Sequence, residues 1–115
     1  MLRLVNTISL NMLGEDCSLR CERILLERAK EIWQNPAKIY GLDKEVVIGH
    51  QDLAAIVGPL MGSVFGASRA TVQLNPEDEC LVAQYTGPRL PEGTTKLPEG
   101  AKIIWWHVRV TASSV

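Results

Sequence analysis

The stretch "AKIIWWHVRV", Ala101 to Val110, constrains the fold more than any other part of the chain. A strand sends successive side chains to opposite faces, and this run alternates cleanly on that period. Ile104, Trp106, Val108 and Val110 share a wholly apolar face, while Ile103, Trp105, His107 and Arg109 share a mixed one. So apolar a face has to be covered, which calls for a sheet with another layer packed on it. Trp106 is therefore expected in the core. Trp105 and His107 are left to face outward, as a stacking platform for bases or as an interface with a partner chain. The scarcity of basic residues around Trp105 favours the interface.

Earlier segments supply the neighbours of that strand. "RLVNTI" (Arg3 to Ile8) reads as a first strand, "SLRCERI" (Ser18 to Ile24) as a short edge strand and "CLVAQYT" (Cys80 to Thr86) as another. "LLERAKEIW" (Leu25 to Trp33) is rich in helix formers and places Leu25, Ala29 and Ile32 on one stripe. "NPAKIYGLD" (Asn35 to Asp43) breaks that pattern, since the residue before a proline leaves the helical region. "EVVIG" (Glu45 to Gly49) is extended, and the next helix is expected to begin at His50 or Gln51, with Asp52 near its N-terminus. Gly58-Pro59 should distort or end it. "RATVQL" (Arg69 to Leu74) is expected to pair with Cys80–Thr86 as a hairpin across the acidic turn "NPEDE". "GPRLPEGTTKLPEG" (Gly87 to Gly100) is a loop. The order predicts one compact domain over residues 1–115, α/β or α+β in class, with a mixed, mostly five-stranded β-sheet flanked by helices.

Composition narrows the partners. Twelve Lys and Arg balance thirteen Asp and Glu in 115 residues, a formal net charge of -1. Gripping DNA or long RNA takes many phosphate contacts, so neither is expected, whereas a small anion needs only a few arginines. The opening "MLRLVNTISLNMLG" is interrupted by Arg3, Asn6, Ser9 and Asn11 and is not read as a signal peptide. No stretch approaches the roughly 18–20 apolar residues of a membrane span. Cys17, Cys21 and Cys80 form no CxxC pair and are expected to be reduced thiols in a cytoplasmic protein. No cofactor or metal site is expected: HExxH and paired thiolates are missing, and "GSVFGAS" lacks the lysine of a nucleotide-binding loop.

A few residues stand out as candidate chemistry. His50 follows Gly49 at a strand-to-helix junction, where it either caps the helix or meets a phosphate beside the free N–H groups. Arg69 and Arg89 flank loops and can chelate phosphate oxygens, or simply lie in solvent. Glu92 is placed to orient a histidine or restrain Arg89. Asn6, Ser9 and Asn11 interrupt an apolar segment; such groups recognise sugar hydroxyls and base edges, and also form ordinary turns.

Together "LVNTISLNML", "IGHQDLAAIVGPLMG" and "SRATVQLNPEDECLVAQ…RLPEG" resemble the ring nuclease family of archaeal viruses, phages and some microbes. Its viral members are anti-CRISPR proteins against type III systems. The resemblance implies a compact α/β homodimer that binds cyclic tetra-adenylate and cleaves it without metal. It implies His50 and Glu92 as catalytic residues. Asn6, Ser9, Asn11, Gly49, Arg69, Gln84 and Arg89 would be ligand-binding. Two departures are visible: "QYTGPR" holds one extra residue, and Gln51-Asp52 replaces an acid-Ser pair. The implied reaction is in-line attack by a ribose 2'-hydroxyl, with His50 protonating the 5'-oxygen and arginines offsetting charge, to give linear di-adenylate. It would act in the cytoplasm, a host's if the protein is viral, and switch off type III signalling. The alternatives are a non-catalytic cyclic-oligonucleotide sensor or sponge, and a structural or interaction protein using the Trp-bearing last strand.

Overall fold

The computed structural model describes residues 1–34, 43–68 and 72–112. Its elements are β1 (Leu2–Val5), a 3-10 turn (Leu10–Met12), β2 (Cys17–Ile24), α1 (Leu26–Gln34), β3 (Lys44–Val47), α2 (Gln51–Leu60), β4 (Glu79–Thr86) and β5 (Lys102–Ala112). The strands form one mixed five-stranded sheet in the order β2-β5-β4-β1-β3. β1 runs parallel to both its neighbours, with Val5 opposite Val47 on β3 and Val82 on β4. β5 is antiparallel to β4 and to β2. The result is an α/β domain with helices packed against a mixed sheet, as the order of elements predicts.

Both helices lie on one face. Ala29, Ile32 and Trp33 of α1 and Leu53, Ala54 and Val57 of α2 bury themselves against Leu2, Leu4, Leu81, Ala83 and Trp105. On the other face the connection from β1 to β2 brings Ile8, Met12 and Leu13 over Val5, Cys80, Val82, Val108 and Val110. Leu13 and Leu74 form an isolated parallel bridge there. Burial pushes the Cys80 thiol up to about 12, so it stays protonated; Cys17, Cys21 and Cys80 are all free. No described helix is long and apolar enough to cross a membrane.

Three expectations change. Trp105 is only 4% exposed, beneath the helices, while Trp106 is half-buried on the opposite face and donates from Nε1 to Gln84 Oε1 at 2.8 Å. The outward Trp105–His107 platform is therefore not there: His107 is also buried, its Nε2 2.6 Å from Glu79 Oε1. The cause is that both faces of the sheet are covered, so alternation no longer separates inside from outside. The first strand is shorter than expected, ending at Val5. The hairpin also fails: residues 69–71 lie outside the described set, Leu74 pairs with Leu13, and β4 instead takes β1 and β5 as neighbours.

Strand β1, flanked on both sides, carries one charge, and it ties three segments together. Arg3 Nε donates to Glu45 Oε1 on β3 at 2.6 Å, and Nη1 to Asp78 Oδ2, just before β4, at 2.9 Å. Burial tends to raise the Asp78 pKa, but a hydrogen bond from the Asn75 N–H and the Arg3 guanidinium outweigh it and hold the carboxyl below 3.8. A depressed carboxylate stabilises the fold above its unfolded pKa, and that contribution is lost as pH falls through the folded one. Arg3→Ala should cost about 2 kcal/mol in urea denaturation at neutral pH. It should also flatten the loss of stability below pH 3.8, because Asp78 then titrates nearer its ordinary value.

Candidate ligand-binding site

Since β1, β3 and β4 are parallel and in register, their carboxyl ends finish at one edge of the sheet. The chain leaving each strand there carries polar groups. Asn6 and Thr7 follow β1, Gly49 and His50 follow β3, and Gln84 to Arg89 end β4 and begin the next loop. The crevice outside the carboxyl ends of parallel strands is where open α/β sheets hold ligands.

Three adjoining cavities open at this edge, and His50 lines each of them. The first, about 470 Å³, has Asn6, Thr7, Ser9, Asn11 and Ser68 over a floor of Val5, Met12, Val47 and Val72, with Gly49 beside His50. The second, about 450 Å³, adds Leu53, Gln84, Tyr85, Arg89 and Leu90 to Asn6 and Thr7. The third, about 420 Å³, is lined by Asp52, Arg89, Leu90, Pro91 and Glu92.

His50 is the N-cap of α2. Its backbone is extended and its Nδ1 accepts from the Leu53 N–H at 3.3 Å, satisfying one of the donors a helix start leaves free. That bond fixes Nδ1 as the acceptor, which leaves Nε2 as the protonated nitrogen of the neutral ring. On the other side of the crevice the Ser9 hydroxyl donates to Asn11 Oδ1 at 2.5 Å, at the start of the 3-10 turn. Gln84 holds Trp106 through its amide oxygen. The Tyr85 hydroxyl donates to the Pro88 carbonyl, bracing the bend that delivers Arg89.

The structure thus collects Asn6, Ser9, Asn11, Gly49, His50, Gln84, Arg89 and Glu92 at one edge, from four separate stretches of sequence. Arg69 lies outside the described residues. No hydrogen bond or ion pair among the described residues joins Glu92 to His50 or Arg89. Thr7 and Ser68 line the crevice and were missed. Thr7 falls inside a first strand drawn to Ile8, and a strand ended at Val5 exposes it. Ser68 has no sequence signal of its own; its N–H bonds to the Ile48 carbonyl at 2.8 Å, which draws the loop to the crevice. Among the described residues no group of three or more His, Cys, Asp or Glu is arranged to hold a metal.

A family description matches residues 2–102, nearly the whole chain: STIV B116-like. The chain belongs to the STIV B116-like family. Among solved structures, it is similar to B116 of Sulfolobus turreted icosahedral virus (STIV), with a TM-score of 0.76 and 24% identity over 94% of this chain and 97% of that one. At that identity the likeness shows a shared fold. The comparison with curated proteins returns no match.

The B116-like match corrects the identification drawn from the motifs. The ring nuclease family, the metal-independent nuclease class and the anti-CRISPR role are replaced by membership of the STIV B116-like family. Cyclic tetra-adenylate and the homodimer fall with them as partners. The geometry supplies physical reasons. A four-phosphate ring needs several cations, but the described lining of the three cavities carries one arginine, Arg89, against the carboxylates of Asp52 and Glu92. His50 already serves the fold as a helix cap through Nδ1, and no bond among the described residues joins Glu92 to it. The motif residues that carry the resemblance are therefore in part residues the fold itself uses.

The cap can be measured apart from any ligand. His50→Ala should destabilise the protein by about 1 kcal/mol in urea denaturation, and His50→Asn, whose amide oxygen can take the same N–H, should recover most of that loss.

Proposed function

We propose that this protein is a small-molecule binding protein, and that its crevice takes a hydroxyl-rich ligand bearing one anionic group, of the sugar-phosphate class. The observation that carries this reading is the convergence around His50 of neutral hydrogen-bonding groups with one cation, Arg89, among the described residues. Asn6, Thr7, Ser9, Asn11 and Ser68 present amides and hydroxyls at one end, and Arg89 stands at the other. Amides and hydroxyls match sugar hydroxyls in donor and acceptor count, and a single guanidinium matches a single phosphate. Gly49 lets a ligand approach the backbone beside His50, and Gln84 and Glu92 bound the crevice on the Arg89 side. The whole of residues 1–115 serves as one ligand-binding domain, and the cytoplasm is its place of action.

Titration calorimetry with ribose 5-phosphate, ribose and inorganic phosphate tests this. Ribose 5-phosphate should bind more tightly than either fragment, and Arg89→Ala should weaken it about tenfold while leaving ribose binding unchanged. Binding of inorganic phosphate alone, with no gain from the sugar, would overturn the assignment.

A second reading has its own observation. Edge strand β2 is exposed from Ser18 to Arg23, and beside it the Trp106 ring lies half-buried on the open part of the sheet, opposite Arg23. An unprotected edge next to an aromatic group suits contact with another protein. Here Trp106→Ala should abolish capture of any partner that binds wild type. A partner retained by that variant would remove Trp106 from the contact.

A further inference from the structure

The crevice is walled by two loops, and consecutive side chains of α2 hold one each. Gln51 Oε1 accepts from the Ala67 N–H at 3.1 Å, and Asp52 Oδ1 accepts from the Gly93 N–H at 3.0 Å. Ala67 adjoins Ser68, which lines the cavity holding the neutral polar groups. Gly93 adjoins Glu92, which lines one cavity together with Arg89. In a helix, neighbouring residues point about 100° apart, so the first two positions of α2 can reach different loops. We infer that Gln51 and Asp52 are positioning residues that set the width of the crevice by clasping its two walls to the start of α2.

This inference rests on the crevice being the ligand site, but the clasp itself does not. On the Gly93 wall no other bond among the described residues duplicates it, whereas the Ala67 wall shares its hold with Ser68. The 63–68 segment is held to α2's far end through the Ser63 N–H on the Gly58 carbonyl, at 2.8 Å, and to β3's end through Ser68. The loop after β4 is held near its start by Tyr85 and through Leu90, which packs on the core. Between Leu90 and Ala101 the bond that ties it to another element is the one from Gly93 to Asp52, among the described residues. Gly93 has a φ of +79, which suits a glycine, and a Cβ there would meet nothing within 4 Å. The turn is therefore shaped by its own backbone but placed by Asp52. An aspartate in the first turn of a helix also benefits from the helix dipole, which is a competing reason for its presence.

Asn in place of Asp separates the two roles, because it keeps the oxygen acceptor and loses the charge. The measurements are amide hydrogen exchange at Gly93 and Ala67, and calorimetric affinity for ribose 5-phosphate, on the full chain. Asp52→Ala should raise Gly93 exchange about tenfold with no change in β4 or β5, and weaken ribose 5-phosphate by a similar factor; Asp52→Asn should restore both. Gln51→Ala should do the same to the Ala67 amide. Unchanged Gly93 exchange in Asp52→Ala, or failure of Asp52→Asn to restore it, overturns the clasp. Lost protection with undiminished affinity overturns the positioning role. If wild type binds none of the sugar or phosphate probes, the proposed ligand class falls, and the exchange results still decide the clasp.

Discussion

The register of a four-residue strand governs this molecule. β1 has parallel neighbours on both sides, and a slip of one residue against either would turn Leu2 and Leu4 from the helix face to the other face. Four residues give few ladder bonds to resist that, so the side chains have to supply the specification. Leu2, Leu4 and Val5 do so by burial, at 0%, 0% and 1% exposure. Arg3 does so by charge. Its guanidinium reaches Glu45 on one side and Asp78 on the other, and both contacts would be lost on a slip. A partly buried cation paired twice is costly to leave unpaired, which makes it a stronger register device than its net stabilisation implies.

The crevice follows from that register. With Val5, Val47 and Val82 level across the sheet, the next residues of three strands emerge at one edge, and the chemistry of the site is the chemistry of those next residues. Asn6, His50 and Gln84 are far apart in sequence and meet because each lies within three residues beyond one of those level valines. The same edge begins α2, so His50 serves the helix while it lines the cavities. A group with two such duties is a poor guide to activity: its presence in a motif is accounted for by the cap alone.

Much of this could be read from the sequence because each element carries its own punctuation. Helix α2 announces its start by His50 and Asp52, though it runs through Gly58-Pro59 to Leu60, and α1 shows its stripe in Ala29 and Ile32, though Leu25 lies exposed before the helix. The candidate residues were legible for a related reason, since polar groups just after apolar strands stand out. What could not be read was set by neighbours distant in the chain. Trp105 and Trp106 have nearly the same local surroundings, and only the placement of both helices on one face buries the first more deeply than the second. The strand β4 looked like half of a hairpin with the segment before it, but the longer partner β5 and the buried β1 offered more apolar contact. The activity was the least legible of all, because motif residues that shape a fold are shared by whatever that fold is used for.

In the proposed role, charge explains why the crevice suits a modest ligand. Arg89 shares its cavity with Asp52 and Glu92, so part of its field is already compensated before a ligand arrives. Among the described residues the first cavity has no charged side chain in its lining. An anion entering at the Arg89 end meets one cation and gains a charge-assisted bond, while a second anionic group on the same molecule would face the two carboxylates. Specificity then rests on the neutral end, where Asn6, Ser9 and Asn11 offer fixed donors and acceptors that a ligand without hydroxyls would leave unsatisfied. The Ser9–Asn11 bond matters in this light: it preorganises two of those groups before binding, so less conformational freedom is lost when a ligand joins them. A crevice of this kind selects by hydrogen-bond pattern first and by charge second, which is the reverse of the order a polyanion would require.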